Sequence, residues 1–160
     1  RSFAQDPRFC LSVMAEIACR ALSPAVNDPG TAIDVIGRGV RILSAYAQNK
    51  IDETEVIYPS VHVAPLQIKD LLEDFFLPIA RDGAGMSEIQ RRVLKGLSML
   101  GSSWPREFED AAHILAREIL EYVNRAAHTD SDKARIQLVY ERLFSDIQSK
   151  TINVKTGKKN

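Results

Sequence analysis

Apolar residues recur along this chain at helical spacing from its first turns onward. After Asp6-Pro7, the residues Phe9, Val13, Ile17 and Ala21 stand four positions apart, with Cys10, Met14 and Ala18 beside them. Arg8, Ser12, Glu16 and Arg20 form a polar stripe between them. That pattern predicts an amphipathic helix with one face in a core. It ends near Ser23, because the residue before Pro24 is steered out of the helical region. After Asp28-Pro29 the pattern restarts with Ala32, Val35, Ile36, Val40, Leu43 and Ala47. Both starts use one device. The aspartate accepts from unpaired N–H groups of the first turn, and the proline has its φ preset and no N–H to leave unpaired. Gly37 and Gly39 weaken the second helix by about 1 kcal/mol each relative to alanine, so another backbone is expected to come close there.

Further along, Asn49 to Glu55 is polar and reads as a turn. Val56-Ile57-Tyr58 and Val61-His62-Val63 flank Pro59-Ser60 and could pair as a small hairpin. A third helix begins near Pro65 and carries Leu66, Leu71, Leu72, Phe75 and Phe76 until Pro78 kinks or ends it. After the loop Arg81-Asp82-Gly83-Ala84-Gly85, Ser87 followed by Gln90 is a capping-box pattern, opening a helix with Ile89, Val93, Leu97 and Leu100. Gly101-Ser102-Ser103 breaks it, and Pro105 starts a long helix through Phe108, Ala112, Leu115, Ile119 and Val123. Thr129 to Asp132 caps a last helix, with Ile136, Val139, Leu143 and Ile147 on its inner face. The expected fold is all-α. It is a single-domain helical bundle of about six helices over residues 1–149, with a short β-ribbon near residues 55–63 and a flexible polar tail over 150–160.

Composition narrows the class without naming a reaction. The chain has 160 residues, enough for one domain with a core, and 45% hydrophobic against 26% charged residues argues against disorder. Lys+Arg and Asp+Glu both count 21, so the electrostatic footprint of a nucleic-acid binder is missing. No apolar run approaches the roughly 18 residues of a membrane span, and no signal peptide opens the chain. It does not begin with methionine and so reads as a fragment. Cys10 and Cys19 lie on opposite sides of one helix, cannot bridge each other, and suit the reducing, cytosolic side.

The run R-x-F-x-Q-D-P-x-F, then A-L-S-P-A-x-N-D-P-x-T-A, resembles the C-terminal soluble portion of the DUF2254 family of predicted bacterial membrane proteins. Its carriers are Arg1, Phe3, Gln5, Asp6, Pro7, Phe9, Ala21 to Ala25, Asn27 to Pro29, Thr31 and Ala32. The likeness is dense over the first 32 residues, continues to about Arg81 as a similar order of elements, and is weak beyond. It also leads one to expect an aspartate one turn into the second helix, where this chain has Gly37. The family has no assigned biochemical activity. The resemblance therefore implies an architecture and a place at the cell membrane, with spans upstream of Arg1 and this portion on the cytoplasmic side.

The candidate chemistry is thin. Asp110 and His113 have the i, i+3 spacing by which bundles present metal ligands, yet no matching set exists around His128 or His62, and Glu109 and Arg117 give the helix a solvated face. No nucleophile elbow is present, and Asp82-Gly-Ala-Gly lacks the lysine of a phosphate loop. No catalytic residue, metal or cofactor is assigned. The corner Ser23-Pro-Ala-Val-Asn-Asp-Pro is read first as a helix-to-helix turn capped by Asn27 and Asp28. Its functional reading is a small polar pocket in which Arg20, Ser23, Asn27, Asp28 and Thr31 contact a ligand or partner, with Arg20 pairing to Asp28 or Asp34. Two functions are expected from this. One is a non-catalytic domain of a membrane protein, acting by homo-oligomeric self-association or by relaying a signal to the membrane part. The other is a small-ligand or ion sensor at the 23–31 corner.

Overall fold

The computed structural model describes residues 6–48 and 66–156, with side chains through Phe144. Among these residues there are six helices and no strand: α1 (Pro7–Leu22), α2 (Pro29–Gln48), α3 (Ile68–Asp82), α4 (Ser87–Ser103), α5 (Pro105–Ala126) and α6 (Asp130–Thr156). The molecule is an all-α bundle. The ribbon expected near residues 55–63, and His62 within it, lie outside the described residues, and so does residue 147 as a side chain. Helix α6 continues through Thr156, into the stretch read as a tail from residue 150.

Two layers share one core. Helix α1 packs on α2 and most extensively on α3, while α4 packs on α2, α5 and α6, and α3 also rests on α5. Phe75 and Phe76 of α3, Ile36 and Leu43 of α2, Leu94 and Leu97 of α4 and Phe108 of α5 meet in the centre, each at most 1% exposed. The core positions of α5 are those its spacing predicts: Phe108, Ala112, Leu115, Ile119 and Val123 are all buried.

The buried face of α1 differs from the expected one. Leu11, Ala15, Ala18, Ala21 and Leu22 are buried, whereas Ile17 is 50% exposed and Phe9 and Val13 are only half-buried. The reason is the partner. Alanines along the contact line let α1 approach α3 and α2 closely, and this pushes the larger side chains to its flanks.

Three local readings also change. Pro78 does not end α3, which runs four residues further to Asp82. Proline removes one helical hydrogen bond, and the 0% exposed Ile79 and Ala80 just beyond it hold the last turn in the core. The capping box at Ser87 does not form. Gln90 is 1% exposed, and its Nε2 donates to the carbonyls of Ala80 and Gly83 at 2.8 and 2.7 Å, so it closes the end of α3 instead of the start of α4. Finally, α2 is approached at its glycines by side chains, not backbone. A Cβ on Gly39 would lie 2.1 Å from Cζ of Phe75, and one on Gly37 would lie 2.8 Å from Nη2 of Arg92.

Candidate functional site

The corner between α1 and α2 is built by its own hydrogen bonds. Ser23 ends α1, its N–H and Oγ both donating to the Arg20 carbonyl at 3.2 and 2.7 Å. Its carbonyl accepts from the Asn27 N–H at 2.8 Å, and the Asp28 N–H returns to the Ala21 carbonyl at 2.8 Å. Closing so tight a loop puts Asn27 at φ 48°, the left-handed region that asparagine tolerates better than most residues. Asp28 then caps α2. Oδ1 accepts from the Thr31 N–H at 3.0 Å and Oδ2 from the Thr31 hydroxyl at 2.6 Å. The Thr31 hydroxyl, then its N–H, holds the Asp28 carboxyl below its ordinary value of 3.8. Asp6 repeats the device at α1, its Oδ1 accepting from the Phe9 N–H at 3.0 Å.

The five expected contact residues therefore fall into two internal pairs plus a turn residue: Arg20 with Ser23, Asp28 with Thr31, and Asn27 between them. The Arg20 guanidinium pairs with neither expected carboxylate. Asp28 is engaged by Thr31, and Asp34 is held by Nε of Arg38 at 2.8 Å. Although the Asp28 backbone returns to the end of α1 at the Ala21 carbonyl, its carboxylate is turned to the first turn of α2, where Thr31 takes both oxygens.

Two concavities flank α1. Between α1 and α3 lies a cleft of about 540 Å³ whose lining includes Glu16, Cys19, Asp74, Arg81, Asp82 and Tyr122. Arg8 closes one side of it, with Nη1 2.8 Å from Asp70 and Nε 2.6 Å from Asp74. Arg81 pairs with Asp82 at 3.0 Å, and Lys69 with Glu73 at 3.5 Å. Burial, followed by its hydrogen bond to Asp82, pushes the Cys19 thiol up to about 12. Such a cysteine stays protonated at neutral pH and is a poor nucleophile.

Between α1 and α2 lies a different groove, of about 560 Å³, with Met14, Ile17, Val35 and Ile42 forming its floor and Arg38 and Arg41 its edge. Ile17 and Ile42 are 50% and 42% exposed. Arg92 reaches across from α4 over the bare backbone of Gly37. Asp34 is held below its ordinary value by the Arg38 hydrogen bond and charge, and also feels Arg41 and Arg92.

The remaining expected candidate is resolved by packing. His113 does not join Asp110 in a ligand set. Its Nε2 lies 3.3 Å from the Tyr140 hydroxyl, and its ring stands 5.8 Å from that of Phe144, in the seam of α5 and α6. Burial and the charge of Arg117 lower its pKa.

The family described as "Predicted membrane protein (DUF2254)" matches residues 1–99. The chain belongs to this family. Uncharacterized proteins of Mycobacterium bovis and Mycobacterium tuberculosis are 61% identical to it over 36 residues. That stretch is 22% of this chain and 7% of each relative's length. No solved structure matches the chain significantly. No helix among the described residues is long and apolar enough to cross a membrane. Within the family match, the sequence reading overlooked Arg38, Arg41 and Arg92. Their signal was readable in part, because Arg38, Arg41 and Ile42 share the outward face of α2, where cations beside exposed apolar residues differ from an ordinary solvated face.

Proposed function

We propose that this chain is a non-catalytic helical domain of a membrane protein, on the cytoplasmic side, and that it acts by self-association relayed to the membrane part. The observation that carries this is the set of exposed apolar side chains on α4, α5 and α6. Met99 on α4, Ile114 on α5 and Leu138 on α6 are 52%, 51% and 64% exposed, on three helices that all pack on one another. A second copy would remove this surface from water. Two unbridged thiols, Cys10 and Cys19, support the reducing side of the membrane. The Ser23 hydroxyl, the Asp28 carboxylate and the Thr31 hydroxyl of the corner are engaged within it, which favours this reading over ligand sensing there.

Sedimentation velocity of the 160-residue chain, with and without Leu138→Ser and Ile114→Ser, tests the reading. The expected result is a concentration-dependent oligomer that dissociates in the double variant while its helical circular dichroism is kept. A wild-type chain that stays monomeric at high micromolar concentration would overturn it.

A further inference from the structure

The groove between α1 and α2 points to a partner of a different kind from a second copy. Its floor is apolar and open, with Ile17 and Ile42 each more than two-fifths exposed. Arg38 and Arg41 line it, and beside them Arg92 of α4 lies over Gly37, the residue before Arg38. Among the described residues, Asp34 accepts from Arg38 at 2.8 Å and also feels the charges of Arg41 and Arg92. Among the described residues the positive charge is in excess at this place, although the chain as a whole has net charge zero.

That excess decides among occupants. In a symmetric pair the same patch meets itself, so Arg38, Arg41 and Arg92 of two copies would be brought together around an apolar seam, and like charges at close range oppose this. An anionic layer with an apolar boundary beneath it complements both features. Guanidinium groups take phosphate oxygens in a fork geometry, and isoleucine side chains at the same level enter the acyl boundary. We infer that the α1–α2 groove rests on the anionic phospholipid headgroups of the membrane, with Arg38, Arg41 and Arg92 on lipid phosphates and Ile17 and Ile42 at the acyl boundary. The inference rests on the reading of this chain as a domain of a membrane protein, whose tether holds the groove near the bilayer at high effective concentration.

Co-sedimentation of the 160-residue chain with phospholipid vesicles tests it. Vesicles of mixed phosphatidylglycerol and phosphatidylcholine are expected to bind the chain, vesicles of phosphatidylcholine alone to leave it in solution, and added salt to release it. Replacing Arg38 and Arg41 together by Gln should weaken binding by about tenfold or more, since each basic group near such a surface contributes measurably. The pair can be removed without loss of fold, because Arg38 and Asp34 are both about three-fifths exposed and such pairs contribute little. Ile42→Ser should weaken binding with the arginines intact. Arg117→Gln with Arg125→Gln on α5 should leave binding unchanged, and the thermal melt of every variant controls for folding. Equal binding to neutral vesicles, no binding to anionic ones, or undiminished binding by the double arginine variant would overturn the inference. So would arginine variants that change the oligomer mass in lipid-free solution, because the groove would then hold a second copy. A chain that self-associates through α4–α6 yet ignores vesicles overturns this inference alone; one that binds vesicles as a monomer overturns only the self-association.

Discussion

Helix α1 has a concavity on either side, and the two use charge in opposite ways. On the α3 side, Arg8 lies between Asp70 and Asp74, Arg81 holds Asp82, and Lys69 holds Glu73, so the charged groups of the cleft largely answer one another within the fold. On the α2 side, among the described residues, Asp34 pairs with Arg38 and feels Arg41 and Arg92 besides. The cleft reads as a fastening. Its Arg8 fork ties the first turns of α1 to α3, and its one cysteine is kept as a thiol by burial and Asp82. The groove reads as a surface, because among the described residues only Arg38 finds an ion pair and the apolar floor is left open. A chain with equal numbers of acids and bases can still present a strongly one-signed place when one side of a helix is neutralised internally and the other is not.

The largest expected effect comes from the contact of α2 with α3 in the core. Gly39 of α2 lies under the Phe75 ring of α3, and an added Cβ would sit 2.1 and 2.2 Å from two ring carbons of a side chain that is 0% exposed. Gly39→Ala should therefore destabilise the chain by roughly 1–3 kcal/mol, more than its gain in helix propensity. Gly37→Ala, two residues earlier, meets the end of the flexible, exposed Arg92 side chain. There the propensity gain of about 1 kcal/mol should win, and the variant should be as stable as the parent or more so. Urea unfolding of the two variants checks this. Equal losses at both glycines would mean that α2 does not sit on α3 as described, and the division into two concavities would fall with it.

How far these places were legible depends on whether their cause is local. Asp6 and Asp28 cap their helices as their Asp-Pro starts predict, because a cap is decided within four residues. Thr129 and Asp132 do the same for α6, the Asp132 N–H donating to Thr129 Oγ1 at 3.1 Å and the Thr129 hydroxyl to Asp132 at 2.7 Å. Where a distant element decides, the pattern misleads. Gln90 has the spacing of a capping box, but the end of α3 claims it. On α1 the expected Ala18 and Ala21 are buried, but Leu11 and Ala15 take the places that Phe9, Val13 and Ile17 hold on paper. The arginine cluster was hidden for the same reason: Arg92 joins Arg38 and Arg41 only after α4 has packed on α2.

An intermediate effect distinguishes the cleft. With Cys10→Ser as background, alkylation of Cys19 by iodoacetamide near neutral pH should be at least about tenfold slower than in the unfolded chain, since the thiolate is the reacting form. Asp82→Asn should speed it only in part, because burial outweighs the Asp82 hydrogen bond among the causes of the raised pKa. Labelling rates against pH give the answer. A Cys19 that reacts as fast folded as unfolded would remove the contrast between a closed, fastened cleft and an open groove.

The smallest effect sharpens the corner that joins the two sides. Asp28 is exposed, and both of its oxygens accept from Thr31. Asn keeps one accepting oxygen but not the negative charge, so Asp28→Asn should lower the melting temperature only slightly near neutral pH, and Asp6→Asn should also cost little because an amide oxygen can accept from the Phe9 N–H in its place. Acid isolates the contribution of the Asp28 charge. The Asp28 carboxyl is held below its ordinary value of 3.8, chiefly by the Thr31 hydroxyl, so the folded chain releases this proton more readily than the unfolded one. A depressed carboxylate contributes stability that is present above its unfolded pKa and is lost as pH falls through the folded one. Melting temperatures between about pH 2 and pH 5 should therefore fall less steeply for Asp28→Asn than for the parent. Part of the slope should remain, since Asp34 and Asp132 are lowered in the same direction by Arg38 and Thr129. If the acid slopes of parent and Asp28→Asn coincide, the charge of Asp28 contributes nothing to the fold. A phenotype for Asp28→Asn in the intact membrane protein, with Asp6→Asn silent, would then assign that charge to a partner of the corner.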